Sequence, residues 1–168
     1  SINGLIDFIS NKTISVLVNC AGGGTSEFKN NILHQNFDDM NNDFILNASS
    51  TFNLTKAIVP KMSPSDNPII INITSIAGID AEAGSIAYGS SKAAFIFATK
   101  VLAKELIIDN IRVNAVAPGP TDTPLIPLNS PERQPEFLNT LPLKRLVKPE
   151  EISQAVWFLA SEGTFFSG

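Results

Sequence analysis

Residues 68–75 read Pro-Ile-Ile-Ile-Asn-Ile-Thr-Ser, a β-branched run that a proline introduces and two polar residues end. A run this short and this continuously apolar is typical of a strand that is buried on both faces of a parallel sheet. Two other runs, at 14–18 and 111–116, share this character and also end in turn-forming residues. We therefore predict three strands of one buried sheet, at 14–18, 69–73 and 111–116.

Helical patterns occupy the intervals between these strands. Apolar residues recur at spacings near three and four over residues 36–62 and 87–108. Residues 149–161 begin with Pro-Glu-Glu, which suits the first turn of a helix because acidic groups there face the positive end of the helix dipole. Because strands and helices alternate, we predict an α/β fold built on a doubly wound parallel sheet with helices on both faces.

The composition limits what the chain can bind. Its 168 residues carry a net charge of -4, with a pI near 4.9, which argues against a nucleic acid partner because phosphate binding needs a basic face. The apolar runs are too short to span a membrane, and no cluster of metal ligands is visible. Cys20 is the only cysteine, so we expect no internal disulfide, a buried thiol and a cytoplasmic protein.

The carboxyl ends of parallel strands form the edge at which such sheets bind ligands. Three loops follow the three predicted strands, at 19–24, 74–78 and 118–123, and they are rich in glycine, proline and small polar residues. We expect these loops to lie on one rim and to contain the functional site.

Tyr88 and Lys92 are the strongest chemical signal in the chain. Tyr88 is the only tyrosine, and Lys92 follows four residues later in a predicted helix, so both side chains lie on one face. An adjacent ammonium favours the phenolate, so we expect Lys92 to lower the pKa of Tyr88 for proton transfer at a carbonyl. An exposed helix pair without function is the alternative. Ser75, at the end of a strand, and Asn47, an amide inside a helix, favour the functional interpretation.

These residues lie in motifs that resemble those of the short-chain dehydrogenase/reductases. The motifs are Asn-Cys-Ala-Gly at 19–22, Asn47, Ser75, Tyr-Gly-Ser-Ser-Lys at 88–92 and Arg-Val-Asn-Ala-Val-Ala-Pro-Gly at 112–119. They extend over nearly the whole chain, and they look most similar to 3-oxoacyl-carrier-protein reductases and bacterial hydroxysteroid dehydrogenases. The resemblance implies a Rossmann-like domain and an oxidoreductase that uses NAD or NADP to interconvert a ketone and a secondary alcohol.

The resemblance also implies a role for each site residue. Tyr88 would be the general acid in reduction and the base in oxidation, and Ser75 would orient the substrate carbonyl. Lys92 would lower the pKa of Tyr88 and bind the nicotinamide ribose, and Asn47 would hold a water that links Lys92 to solvent. The cofactor-binding residues implied by the resemblance are Asn19, Ala21, Gly22, Tyr88, Lys92, Pro118, Gly119 and Thr123.

Two features of the family have no counterpart in this sequence. A Thr-Gly-rich dinucleotide loop is missing before the first predicted strand, and a last strand is missing after residue 168. We therefore expect residues 1–168 to be the C-terminal two-thirds of one domain, incomplete as given, with a substrate-lid segment at 120–145. The alternative to an enzyme is a catalytically incompetent fragment or assembly module that lacks the adenosine site of the cofactor.

The substrate and the oligomeric state are also predicted. The resemblance favours a 3-oxoacyl thioester as the small-molecule carbonyl substrate, with a steroid as the alternative. Apolar residues on more than one face of helices 36–62 and 87–108 predict a homodimer or homotetramer, and we expect Trp157 and Phe158 to fill the core or a subunit contact. A hydrophobic substrate is suggested by the apolar lid residues Leu125, Ile126, Leu128, Phe137, Leu138 and Leu141.

Overall fold

A three-stranded parallel sheet forms the centre of the computed structural model, which describes residues 2–24, 32–126 and 130–168. The strands are β1 (Val16–Asn19), β2 (Ile69–Ile73) and β3 (Arg112–Val116), in the order β1-β2-β3. The register pairs Asn19 with Asn72 and Ile70 with Val113. All three predicted strands are present: β2 has the predicted bounds, and β1 and β3 begin one or two residues later than predicted.

Helices fill the intervals as predicted. In the described residues the α-helices are α1 (Ile2–Phe8), α2 (Phe37–Phe44), α3 (Ser50–Ile58), α4 (Ile86–Leu106), α5 (Pro135–Leu138) and α6 (Pro149–Ser161). A π-helical turn (Ile45–Ser49) joins α2 to α3, and a 3-10 turn (Val59–Lys61) follows α3, so the predicted helix 36–62 is one continuous helical segment. The other 3-10 turns are Ile32–His34, Pro64–Asp66, Ile76–Gly78, Ile107–Asp109 and Pro131–Arg133.

Different helices cover the two faces of the sheet. Ile70 of β2 is buried in one cluster with Ile58 of α3 and Ala103 of α4. Arg112 of β3 lies on the other face, because side chains alternate along a strand, and its guanidinium donates to the Leu159 carbonyl of α6 at 3.1 Å. The predicted doubly wound arrangement is therefore confirmed.

β1 is less buried than the sequence predicts. Val16 is 45% exposed and Val18 is 40% exposed, whereas Ile69 and Ile71 of β2 are buried. β1 is an edge strand of the described sheet, and α3 covers only the face to which Leu17 belongs. The prediction of burial on both faces is therefore wrong for β1, because within the described residues no element covers the face that carries Val16 and Val18.

The aromatic residues of α6 also differ from expectation. Trp157 is 69% exposed and Phe158 is 43% exposed, so neither fills the core. The Phe158 ring packs edge-on against Phe166, with 5.8 Å between the ring centroids. Their contribution to a subunit contact stays a prediction.

In the part of the chain that the structure describes, no helix is long and apolar enough to cross a membrane. The cytoplasmic location expected from the sequence stays a prediction.

Candidate active site

The loops that follow β2 and β3 are bonded to each other at the carboxyl edge of the sheet. The backbone N–H of Thr74 donates to the Val116 carbonyl at 2.8 Å, and that of Ile76 donates to the Pro118 carbonyl at 3.0 Å. Ser75 lies between these two bonds and is buried. Its hydroxyl accepts a hydrogen bond from the Ala77 N–H at 3.2 Å, which caps the 3-10 turn Ile76–Gly78. The rim expected from the sequence therefore holds Ser75 in a fixed place.

Two glycines bring this loop against α4. A Cβ on Gly78 would lie 2.7 Å from the Ala93 nitrogen in the α4 backbone, and a Cβ on Gly89 would lie 2.8 Å from the Ala77 carbonyl oxygen. Real Cβ atoms do not approach backbone this closely, so only glycine permits the contact. As a result the Ser75 hydroxyl reaches Tyr88 on the first turn of α4 and shares a hydrogen bond with its phenol.

The surroundings of Tyr88 shift its pKa upward. Burial raises the pKa of Tyr88 above its ordinary value of 10.0, the hydrogen bond with Ser75 opposes this rise, and the carboxylate of Asp43 adds to it. The Lys92 ammonium lies 5.7 Å from the centre of the Tyr88 ring. The net shift is therefore upward, because loss of solvent around the phenol is its largest cause. The lowering of the pKa expected from Lys92 stays a prediction.

Lys92 is itself buried beneath the rim, with 4% of its surface exposed. Its Nζ donates to the Ile73 carbonyl at the end of β2, at 3.2 Å. Burial lowers the pKa of Lys92, and the neighbouring Cys20 acts in the opposite direction. Cys20 is exposed, which corrects the prediction of a buried thiol: the residue follows the last position of the edge strand β1, where nothing described covers it.

Asn47 joins β1 to α4 through the π-helical turn. Its Oδ1 accepts from the Gly23 N–H at 2.9 Å, and its Nδ2 donates to the Gly23 carbonyl at 2.8 Å and to the Ser91 hydroxyl at 3.0 Å. Asn47 is fully buried. The wide turn is a local departure from α-helical geometry of the kind often found at functional sites, and here it turns an amide toward the loop after β1.

The space beside Lys92 suits the ribose and nicotinamide of a dinucleotide. A Cβ on Gly22 would lie 2.8 Å from Asn47 Oδ1 and 2.9 Å from Lys92 Nζ, so a larger residue there would displace these two side chains. At the end of β3, a Cβ on Gly119 would meet nothing within 4 Å. Backbone groups at glycines and a buried ammonium are suitable donors for ribose hydroxyls. These residues fit a nicotinamide cofactor.

The remaining residues that the resemblance implicated differ in their exposure and in the direction of their side chains. Ala21 is exposed and Pro118 is half-buried on the same rim. Asn19 is buried, and its Nδ2 donates inward to Thr55 and to Asn72, so its side chain does not line the open space. Thr123 is half-buried in the segment after β3, and its carbonyl accepts from the Ile126 N–H at 3.0 Å.

Backbone hydrogen bonds and an ion pair fix the start of the predicted lid segment 120–145. The Asp122 N–H donates to the Val147 carbonyl at 2.8 Å, and the Val147 N–H donates to the Pro120 carbonyl at 2.9 Å. Arg133 forms an ion pair with Asp122 at 2.7 Å. Leu125 lies near the site, because a Cβ on Gly23 would be 3.9 Å from its Cδ1. Of the six apolar lid residues, Leu128 lies outside the described residues.

In the described part of the chain, no group of three or more His, Cys, Asp or Glu side chains could hold a metal ion.

The comparisons with known proteins identify the family. A model described as enoyl-(acyl carrier protein) reductase matches residues 1–168. A solved structure of a short chain dehydrogenase family protein from Francisella tularensis superimposes with a TM-score of 0.88, at 27% identity, over 99% of this chain and 72% of that one. The chain belongs to the short-chain dehydrogenase/reductase family.

Two curated relatives in this family have equal identity to the chain. The 3-oxoacyl-[acyl-carrier-protein] reductase of Thermotoga maritima is 39% identical over 156 residues, which cover 92% of this chain and 62% of the relative. The 7alpha-hydroxysteroid dehydrogenase of Bacteroides fragilis is 39% identical over 151 residues, which cover 89% of this chain and 58% of the relative. The chain therefore spans about three fifths of the length of these relatives.

Asp43 is a site residue that was not among those predicted from the sequence. Asp43 is fully buried on α2 and acts electrostatically on Tyr88. The available signal was its position: Asp43 lies one helical turn before Asn47, on the face that carries the buried residues Thr51 and Thr55. An acid at such a position is unusual, because charged side chains are seldom buried without a specific role.

Proposed function

We propose that the full-length protein is an oxidoreductase that transfers a hydride between a nicotinamide cofactor and a ketone or secondary alcohol. The observation that carries the proposal is the hydrogen bond between the Ser75 hydroxyl and the Tyr88 phenol, beside the buried Lys92. A hydroxyl and a phenol that converge from two elements can both hydrogen-bond one carbonyl oxygen. Family membership supports the same reaction class.

Tyr88 is the proton donor in the proposed reduction. A phenol with the ordinary pKa of 10.0 is protonated at neutral pH, and burial raises the pKa of Tyr88 further. The protonated phenol can donate to the ketone oxygen as negative charge develops there, while the Ser75 hydroxyl stabilises the same oxygen. In the reverse direction Tyr88 accepts the proton of the alcohol.

NAD or NADP is the proposed cofactor, and it supplies the hydride when bound. Lys92 would bind the ribose hydroxyls next to the nicotinamide, and the backbone at Ala21, Gly22, Pro118 and Gly119 would line the rest of that half of the cofactor. Thr123 would contact the nicotinamide from the lid. Asn19 would contribute only through its backbone, since its amide bonds to Thr55 and Asn72.

A proton path from Lys92 through Asn47 is part of the proposal. Both amide hydrogens of Asn47 and one lone pair of its Oδ1 are bonded to Gly23 and Ser91. A relay water would therefore use the remaining Oδ1 lone pair or the backbone carbonyl of Asn47.

A 3-oxoacyl thioester is the proposed substrate, and a hydroxysteroid is the second candidate because both relatives have 39% identity. The deciding experiment is a panel assay of the full-length protein with NADH and NADPH against acetoacetyl thioesters and oxo-steroids. Turnover of the thioester alone supports the first substrate class, and turnover of the steroid alone supports the second. Absence of turnover with every pair, by protein that binds the cofactor, would refute the proposed function.

Tyr88→Phe tests the catalytic assignment in the same assay. Removal of the phenolic proton donor should reduce kcat by about 10²–10⁴-fold, the usual contribution of acid–base catalysis. Cofactor affinity and thermal unfolding midpoint should stay near those of the wild type, because the ring remains. A variant that keeps more than about a tenth of the wild-type rate would contradict the role of Tyr88.

A further inference from the structure

Four polar side chains form a buried hydrogen-bonded row beneath the site. Asn19 of β1 donates through Nδ2 to the Thr55 hydroxyl of α3 at 3.2 Å and to Asn72 Oδ1 of β2 at 2.9 Å. Asn72 donates through Nδ2 to the Thr99 hydroxyl of α4 at 2.9 Å, and Thr99 donates to the Phe95 carbonyl at 2.9 Å. All four side chains are buried. We call Thr55, Asn19, Asn72 and Thr99 the lower bridge.

A second row connects the same two elements at the level of the site. Gly23, four residues beyond Asn19, exchanges two hydrogen bonds with Asn47, and Asn47 donates to Ser91 of α4. Gly23, Asn47 and Ser91 are the upper bridge. Lys92 follows Ser91 directly, so the upper bridge holds the backbone from which the ammonium projects.

The separation between the two bridges is similar along the chain that follows β1 and along α4. The four residues from Asn19 to Gly23 span at most about 13 Å, because extended chain rises ~3.3 Å per residue. Eight residues of helix from Ser91 to Thr99 span about 12 Å, at 1.5 Å per residue. α4 runs in the opposite direction to β1, so the two bridges and the two elements enclose a closed frame. In such a frame the lower bridge sets the angle of α4, and hence the position of its upper end.

Apolar side chains at the four positions of the lower bridge could also be buried there, but they would not select one alignment of α4 with β1. Hydrogen bonds are directional, and a fully satisfied buried network specifies a unique arrangement of the elements that it joins. The lower bridge also adjoins the catalytic lysine on the sheet side, because Ile73, which accepts from Lys92, follows Asn72 directly.

We propose that the lower bridge is a positioning device for the active site, in which Thr99 and Asn72 hold α4 so that Lys92 and the Gly22–Gly23 backbone stay in register. This inference rests on the proposed function for its effect on catalysis, but its effect on geometry is independent of any activity. Neither Thr99 nor Asn72 touches the reacting groups, so both act through the elements that carry them.

The test compares Thr99→Val, which keeps the shape but removes the hydroxyl, with Thr99→Ser, which restores it, in the full-length protein. Ile58→Val is the control for stability alone, since it removes a buried methyl group from the same core without removing a hydrogen bond. Two quantities are measured in each variant: hydrogen exchange of the Gly23 amide relative to that of Val113, and kcat for the ketone identified in the panel.

Thr99→Val should increase the exchange of the Gly23 amide relative to Val113 by about tenfold, because the upper bridge loosens locally. It should reduce kcat by at least about tenfold with little change in KM, since small misplacements of catalytic groups have effects of this size. Thr99→Ser should restore both quantities, and Ile58→Val should change neither the exchange ratio nor kcat.

An exchange ratio in Thr99→Val equal to that of Ile58→Val would overturn the positioning role and leave Thr99 a structural residue. The same holds if the ratio rises and kcat does not fall in an active protein. If the wild-type protein turns over no ketone, the proposed function fails, and the exchange ratio alone decides whether the lower bridge positions the upper one.

Discussion

Opposing influences act on the proton of Tyr88. Burial and the Asp43 carboxylate raise its pKa, and the hydrogen bond with Ser75 lowers it. A phenol that donates a proton to a ketone must still carry that proton at the working pH. In this protein the surroundings of Tyr88 therefore favour the form needed for reduction, and Asp43 is the group through which that balance can be altered without touching the reacting atoms.

Asp43→Asn should shift the basic limb of the pH–rate profile for reduction to lower pH. Removal of a negative charge near the phenol stabilises the phenolate, so the pKa of Tyr88 falls and the donor loses its proton earlier as the pH rises. Asp38→Asn is the matched control, because it removes an exposed carboxylate from the same helix. An unshifted limb in a folded Asp43→Asn variant would show that Asp43 does not act on Tyr88.

Lys92→Met should have the opposite effect on the pH profile. Loss of the cation destabilises the phenolate, so the basic limb should move to higher pH. The affinity for the nicotinamide cofactor should fall together with it, because the same ammonium is proposed to bind the ribose. Lys104→Met, at an exposed lysine of α4 outside the groove between α3 and α4, is the control. If binding and pH profile both stay unchanged in Lys92→Met, Lys92 has neither role.

Among the elements, α6 depends on one carboxylate at its first turn. Glu151 accepts from the Lys148 N–H at 2.8 Å, and both terminal nitrogens of Arg145 reach its carboxylate at 2.7 Å. The hydrogen bond from Arg145, with that from the Lys148 backbone, lowers the pKa of Glu151 from 4.5 to about 2. The helix start is thereby joined to the end of the lid segment.

Glu151→Gln should make the thermal unfolding midpoint less dependent on pH between 4.5 and about 2. A carboxyl whose pKa is lower in the folded state contributes stability above its unfolded pKa of 4.5, and that contribution disappears as the pH falls toward about 2. The wild type should therefore lose more of its thermal midpoint across this window than the variant does. Glu150→Gln, one position earlier, leaves the pair with Arg145 intact. Parallel midpoint curves for wild type and Glu151→Gln would contradict the coupling.

On the scale of the whole molecule, an apolar groove of about 480 Å³ runs between α3 and α4 on the side away from the sheet. Phe97 is 69% exposed there, and Phe52 and Val101 are also exposed. Solvated apolar grooves of this kind mark interaction surfaces. Since the same two helices would meet themselves across a two-fold axis, we propose that a second copy of this chain covers the groove.

Phe97→Glu should convert the oligomer of the full-length protein to a monomer, because a charge placed at the centre of the contact would be buried without a partner. Light scattering at micromolar concentration measures the mass. Phe37→Glu is the control, since Phe37 is comparably exposed on α2 but lies outside the groove. A monomeric wild type, or an oligomer that survives Phe97→Glu, would exclude the groove as the subunit contact.

The sequence by itself determined the strands, the long helices and the order of the motifs. These features depend on local periodicity: β2 has the bounds predicted from one apolar run, and α6 begins at the proline and ends at the serine predicted for it. The approach of Ser75 to Tyr88 was also predictable, because the small residues between them allow the chain to fold back.

Only the tertiary structure decided what surrounds each side chain. Burial sets the upward direction of the Tyr88 pKa shift, and Ser75 and Asp43, which belong to other elements, oppose and add to it. Asn19 turns inward because Asn72, 53 residues away, accepts its hydrogen bond. Cys20 is exposed because no described element covers the position that follows β1. Burial and electrostatic energy are sums over neighbours that packing brings together, and a pattern within one segment does not contain those neighbours.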